Sequence, residues 1–228
     1  LAQEFKILTK GVNSSLRGLS VVDENVVWVS GSNGKVAKTT NGGVSFQWFT
    51  VQGYEQRDFR DIHAFDSSTA VIIAIDTPAV ILKTIDGGRS WYKVFEDNRP
   101  GMFLDAMHFE KVNGKLVGMV VGDPINQKIF YAKTFDGGDS WIKPSKKELK
   151  NVPTVPDGEA MFASSGTNVA ITNFSKGSPW LVVTGGTKSR LKDFLEHSFN
   201  DSLPLLQGFS SAGANSIAFN NKIQKGVI

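Results

Sequence analysis

Three copies of one short pattern organise this chain of 228 residues. They read Thr39-Thr40-Asn41-Gly42-Gly43-Val44-Ser45-Phe46, Thr84-Ile85-Asp86-Gly87-Gly88-Arg89-Ser90-Trp91 and Thr134-Phe135-Asp136-Gly137-Gly138-Asp139-Ser140-Trp141. The interval is 45 residues from Thr39 to Thr84 and 50 from Thr84 to Thr134. Self-similarity at this period belongs to repeat architectures, and strand-like segments between the copies point to propeller blades.

Each copy carries its own turn chemistry. Asn-Gly and Asp-Gly supply the positive φ angles of tight hairpins. The Asp or Asn oxygen can accept N–H bonds from its own turn. The aromatic opens the outgoing strand and packs beneath the turn. The pattern Thr39, Asn41, Gly43, Ser45, Phe46 and its counterparts Thr84, Asp86, Gly88, Ser90, Trp91 and Thr134, Asp136, Gly138, Ser140, Trp141 are therefore read as structural. They resemble the Asp-box, or BNR, repeat, Ser/Thr-x-Asp-x-Gly-x-Ser/Thr-Trp. The second and third copies match fully; the first has Asn41 for Asp and Phe46 for Trp. The resemblance implies a fold rather than an activity, because such boxes lie on outer hairpins of proteins with many functions, sialidases and photosystem assembly factors among them.

The segments around the boxes repeat as well. Arg17–Asp23, Arg60–Asp66 and Leu104–Glu110 are alternating runs with two distinct faces. Apolar runs follow at Val26–Ser30, Ala70–Ile75 and Leu116–Val121, and third strands at Ala79–Thr84 and Lys128–Thr134 lead into boxes. A fourth strand starts at each aromatic. Two later units keep the opening and lose the box: Glu159–Ala163, followed by Asn168–Thr172 and Trp180–Thr184, and then Asn215–Phe219. The expected fold is all-β, a single β-propeller domain of four-stranded blades with Asp-box hairpins. Blades fall at about 11–57, 58–101, 102–156 and 157–212, with a partial unit at 213–228. The chain would cover about four and a half blades of a ring that is seven-bladed when complete. Phe5–Thr9 would add a strand to the last blade.

Bulk properties narrow the function. A net charge of +3, with no dense Lys/Arg cluster, gives no case for nucleic acid, and Lys143–Lys150 reads as a solvated loop. The absence of cysteine removes disulfides, thiolate metal sites and a Cys nucleophile. No apolar run reaches the length of a membrane span. The start, Leu1-Ala2-Gln3-Glu4-Phe5, is compatible with the remainder of a cleaved secretory signal.

A wider resemblance rests on Arg17-Gly18-Leu19-Ser20, Phe59-Arg60-Asp61-Ile62, Gly122-Asp123-Pro124 and Phe162-Ala163-Ser164-Ser165-Gly166-Thr167-Asn168. These segments are similar to bacterial proteins related to the plant photosystem II stability/assembly factor. The resemblance spans most of the chain. It implies a periplasmic or secreted propeller, in a group often labelled oxidoreductase or BNR-repeat glycosyl hydrolase.

Alignment of the units puts Gly18, Asp61, Asp105, Glu159 and Asn215 at one register, around one mouth of a central channel. Asp61, Asp105 and Glu159 are carboxylates from different blades. They are the candidates for a cation or sugar site, or for the acid and base of glycoside hydrolysis at a spacing of roughly 5–9.5 Å. They would otherwise cap their own loops or pair with Arg17 or Arg60. A sialidase is disfavoured: only Arg17 and Arg60 are arginines at blade openings, where Leu104 and Gly158 follow, Tyr54, Tyr92 and Tyr131 fall in outer strands, and Arg-Ile-Pro is absent. No nucleotide-binding glycine turn occurs. His63 and His108 are placed one register apart, on opposite strand faces, and His197 in a weakly patterned stretch, so no metal site and no cofactor are expected. Asp123-Pro124 and Asp76-Thr77-Pro78 read as turns.

The sequence thus points to a non-catalytic, extracytoplasmic scaffold that binds a protein or peptide partner, with Arg17, Arg60, Asp61, Asp105, Glu159 and Asn215 on the binding face. The alternative is a glycoside hydrolase or glycan binder that uses the same carboxylates.

Overall fold

The computed structural model describes residues 5–152, 154–162, 166–172, 180–193, 202–222 and 224–228. Leu1–Glu4, Ala163–Ser165 and His197 lie outside the described residues. The first blade is the sheet β1-β2-β3-β4, with β1 Leu16–Val21, β2 Val27–Gly31, β3 Lys35–Thr39 and β4 Gln47–Thr50. The second repeats it as β5 Phe59–Ala64, β6 Ala70–Ala74, β7 Ala79–Thr84 and β8 Tyr92–Asp97. The third has β9 Leu104–Val112, β10 Lys115–Ile125 and β11 Lys128–Thr134. Its fourth strand is reduced to one bridge between Lys133 and Ile142.

A short helix α1, Lys146–Asn151, follows. It occupies the stretch that the sequence presents as a loop. Ser145 and Glu148 close a capping box, with Glu148 N–H donating to the Ser145 hydroxyl at 3.2 Å and Ser145 N–H donating to the Glu148 carboxylate at 2.7 Å. The later part is smaller. The two-residue strands β12 Glu159–Ala160 and β15 Gly185–Gly186 pair with each other. The sheet β13-β14-β16 comprises Val169–Ile171, Trp180–Val183 and Leu191–Asp193. A hairpin of β17 Ala218–Asn220 and β18 Lys225–Val227 ends the chain.

The fold is an all-β propeller, present as an open arc of blades. Successive inner strands β1, β5, β9, β13 and β17 pack side by side around the axis. A middle blade is covered on both faces, which is why β6 is wholly apolar instead of alternating. Ala70, Ile72 and Ala74 face the first blade beside Trp28 and Val36. Val71 and Ile73 face the third, beside Leu104, Met107 and Val120. The next interface joins Ala106, Met119 and Val121 to Val169, Ile171 and Val182. The arc is open at β1, where Leu19 and Val21 are each 65% exposed.

The boxes fold as hydrogen-bonded turns. Thr84 Oγ1 donates to Asp86 Oδ1 at 2.9 Å and accepts Gly88 N–H at 3.0 Å. Asp86 Oδ1 accepts Ser90 N–H at 3.0 Å, and Oδ2 accepts the Ser90 hydroxyl at 2.5 Å. Asp136 repeats this with Thr134 and Ser140. Asn41 reproduces it in the degenerate copy, with Nδ2 donating to Ser45 Oγ at 2.9 Å. Gly88, at φ +88°, allows the turn to lie on the preceding blade, where a Cβ would come within 3.2 Å of Trp28.

The inner strands contain a feature that the residue alignment does not show. A one-residue bulge occurs near the start of the first three: Arg17 in β1, Arg60 in β5 and Asp105 in β9 have no partner across their ladders. The structural equivalents are therefore Arg17, Arg60 and Asp105, followed by Gly18, Asp61 and Ala106. Asp105 does not share the register of Gly18 and Asp61. His63 and His108, expected on opposite faces, share one register. Two other expectations change. Asp123-Pro124 is not a turn but lies within β10, at another register shift. Phe5–Thr9 forms no strand; Leu8 rests against Gly43, and Thr9 Oγ1 accepts the Trp48 indole N–H at 3.2 Å.

Candidate functional site

The inner strands enclose a central cavity of about 500 Å³. Arg17, Leu19, Asp61, His63, His108 and Ile171 are among its walls. Arg17 is at a bulge on this wall, and Arg60 holds the equivalent bulge position in β5, where an extra residue tilts the side chain out of the ladder. Both arginines converge on Asp58, just before β5. Asp58 Oδ2 is 3.2 Å from Arg60 Nε and 3.9 Å from Arg17 Nε. Asp58 Oδ1 is buried with no hydrogen-bond partner among the described residues. Two cations thus share one carboxylate, and the arginine side chains remain 36% and 21% exposed.

Negative charge follows on the third blade. Burial, then the charge of Asp123, raises the Asp105 carboxyl well above its ordinary range, while Arg60 opposes this. Burial pushes Asp123 up to about 6, against an N–H bond from Met161. Among the described residues, Asp105 Oδ2 and Asp123 Oδ1 are both buried without a hydrogen-bond partner. At this site two carboxyl groups disfavour each other's ionisation. Asp105 is 1% exposed, so it offers no open face to a substrate.

Asp61 serves the backbone. Its Oδ1 accepts Ile62 N–H and its Oδ2 accepts Met107 N–H, each at 2.8 Å. Burial nevertheless pushes its carboxyl up to about 8, because the two N–H bonds only partly offset desolvation. Glu159 leaves the channel altogether. It sits on β12, facing Arg190, whose Nε is 3.0 Å from both Glu159 oxygens and whose Nη2 is 2.5 Å from Oε2. Thr184 Oγ1 donates to Glu159 Oε1 at 2.7 Å. Inner-strand residues of this unit lie instead on β13, which lines the cavity with Val169, Ala170 and Ile171. Asn215 is exposed beside it, and its carbonyl accepts Asn168 Nδ2 at 3.3 Å. The structure thus brings Arg17 and Arg60 together on Asp58, with Asp105 buried beside Arg60, keeps Asp61 on the cavity wall, and separates Glu159 from them.

His63 and His108 both line the cavity. Burial, then the charge of His108, lowers His63 to about 4, and burial lowers His108. The His63 ring packs 4.8 Å from Phe109 and 5.0 Å from Phe65, an aromatic stack rather than a ligand set. Among the described residues no group of three or more His, Asp or Glu side chains is arranged to hold a metal ion. No helix among them is long and apolar enough to cross a membrane.

Other residues were missed by the sequence reading. Asp58, Asp123 and Arg190 act through tertiary partners that spacing does not reveal. A lysine before each box, Lys38, Lys83 and Lys133, was visible as a repeat. Lys38 Nζ donates to Ser67 O at 2.7 Å on the next blade. The buried Lys83 clamps the next box, reaching Gly137 O at 3.1 Å and Asp139 Oδ1 at 2.7 Å. Lys133 lies over the rings of Tyr131 and Trp180.

Comparison with known proteins adds one sequence relationship. The model of the family described as photosynthesis system II assembly factor YCF48 matches residues 1–192. No curated protein matches the chain. Similar solved structures include YCF48 bound to D1 peptide, at 18% identity and TM-score 0.43, with 90% of this chain and 73% of that chain covered. A GH74 xyloglucanase from Xanthomonas campestris gives 10% identity and TM-score 0.41, covering 84% of this chain and 34% of that one. YCF48 from Cyanidioschyzon merolae gives 15% identity and TM-score 0.35, covering 97% and 94%.

Proposed function

The chain belongs to the photosynthesis system II assembly factor YCF48 family, and from that premise we propose that it is a non-catalytic scaffold that binds a peptide segment of a protein partner at its channel mouth. The observation that carries this reading is the sharing of Asp58 by Arg17 and Arg60. One carboxylate leaves an excess positive charge on bulged, partly exposed side chains, a ready site for a peptide carboxylate. The neighbouring cavity supplies apolar wall from Leu19 and Ile171. The carboxylates otherwise suited to hydrolysis are engaged or enclosed: Asp61 by two N–H groups, Glu159 by Arg190, and Asp105 by burial. A periplasmic or secreted location belongs to the proposal, in keeping with the resemblance to secreted propellers, and fractionation of producing cells tests it.

The decisive experiment is peptide-array binding by the wild-type protein and an Arg17→Ala/Arg60→Ala variant. A subset of carboxylate-bearing peptides should be retained by the wild type and lost by the variant. A glycan array and a panel of chromogenic glycosides run alongside. Glycan binding or turnover that disappears in Asp105→Ala would overturn the scaffold reading in favour of a carbohydrate-active propeller.

A further inference from the structure

A second surface lies on the outer side of the third blade and shares no residue with the central cavity. It is a groove of about 600 Å³ between the start of β11 and α1. Its floor is apolar: Ile125, Ile129, Phe130 and Leu149. Its rim is cationic: Arg99, Lys128, Lys143, Lys146 and Lys150. Among the described residues the lining contains no Asp or Glu.

The rim is built rather than incidental. Asp97, 2% exposed, holds both Arg99 and Lys143 at 2.8 Å. Two cations on one buried carboxylate leave positive charge at this wall, and the two side chains are 48% and 47% exposed. Arg99 stacks over Phe130 and Lys143 over Phe95, which fixes both heads. Lys128 Nζ donates to Val152 O at 2.6 Å, anchoring a third cation beyond α1. Lys146 and Lys150 are four residues apart on α1 and share a face. Positive charge therefore stands at several separated points, which suits several carboxylates along a segment better than one headgroup.

The position of the groove indicates the shape of its occupant. In the second blade, Ala79 and Val80 of β7 pair with Asp97 and Glu96 of β8. Counted back from Thr134 as from Thr84, their equivalents in the third blade are Ile129 and Phe130. There the fourth strand is only the Lys133–Ile142 bridge. The groove thus opens where an extended strand with acidic residues lies one blade earlier.

We infer that this groove is a second binding site, for an extended acidic peptide that sets apolar side chains on the Ile129–Leu149 floor and carboxylates on the lysine and arginine rim. The probe is a short fluorescein-labelled peptide of alternating Glu and Leu, followed by anisotropy at low and physiological salt. Binding should weaken with salt. It should also weaken about tenfold or more in Lys146→Glu/Lys150→Glu, whose exposed side chains leave the fold intact by circular dichroism. The titrations are repeated in the Arg17→Ala/Arg60→Ala background, where any binding at the channel mouth is removed and the groove should still take the probe, so failure here is distinct from failure at the channel mouth. No binding, equal binding by the charge-reversed variant, or equal binding of a Lys/Leu peptide would overturn the inference. Displacement of the probe by laurate at equal concentration would also overturn it, by showing a single-headgroup site.

Discussion

Asp61 of the second blade accepts the backbone N–H of Met107 in the third at 2.8 Å while its other oxygen accepts the N–H of Ile62 in its own strand. One buried side chain thus joins two blades by their inner strands, where no ladder can run between sheets. The carboxyl does so with its pKa pushed up to about 8 by burial.

This linkage has a pH signature. Folded Asp61 keeps its proton to about pH 8, whereas in the unfolded chain a carboxyl loses it near 4. The folded state holds the extra proton between these values, so this group's contribution to stability falls as pH rises through that window. Asp61→Ala strands two buried N–H donors at roughly 1–3 kcal/mol each. In urea titrations the variant should lose most relative to wild type near pH 5 and least near pH 9.

The Asp105–Asp123 pair should yield a stabilising substitution. Burial raises both carboxyls, so their stability contribution is full at about pH 4 and declines as pH rises through about 6 and beyond. Asp123→Asn keeps an acceptor for Met161 N–H and removes a buried charge. It should match wild type at pH 4 and exceed it at pH 8 by about 1–3 kcal/mol, measured by denaturant midpoint.

Glu159 and Arg190 should behave as a buried pair. Arg190→Met leaves Glu159 charged and enclosed, at a cost of about 3–5 kcal/mol. Arg190→Met/Glu159→Leu should recover most of that loss. A double variant as unstable as the single one would contradict the pairing.

The degenerate box predicts its own substitution. Asn41 makes the turn bonds that Asp86 makes. Asp86→Asn should therefore cost only a few tenths of a kcal/mol, and Asp86→Ala about 1–2 kcal/mol. The Ser90 hydroxyl and the backbone hold Asp86 at about 2. Its ionised-state advantage over Asn should thus persist above pH 4 and fade as pH falls through about 2. Thermal melts across that range check both.

Lys83 should prove to be an interblade clamp. Lys83→Met leaves Gly137 O and Asp139 without their cation but keeps the apolar stem. A loss of about 1–3 kcal/mol is expected, with earlier hydrogen exchange at Gly137 and Gly138 than in the rest of the third blade.

The boxes were legible because their bonds close within five residues: Thr84, Asp86, Gly88 and Ser90 carry the whole mechanism in sequence order. Strand pairs inside the first two blades were legible for a similar reason, since short hairpins and alternating or continuous apolar runs are local signals. The third blade was harder. Its fourth strand collapses to one bridge and α1 follows it, although a capping box at Ser145 and Glu148 was present to be read. The carboxylates of the mouth were visible as residue types, but their register was not.

What the sequence by itself determined is the repeating unit: a strand-turn-strand blade whose hairpins are tied by side chains a few residues away. Only the tertiary structure decided which residues meet at the axis. A bulge shifts every following side chain to the other face, and the sequence of β9 does not mark Asp105 as the extra residue. With Asp105 at the bulge, His63 and His108 share one register and one wall, while the meetings of Asp105 with Asp123 and of Arg17 and Arg60 with Asp58 come from packing between strands. Burial between blades then fixed the charges, because desolvation depends on neighbours that lie tens of residues away in the chain.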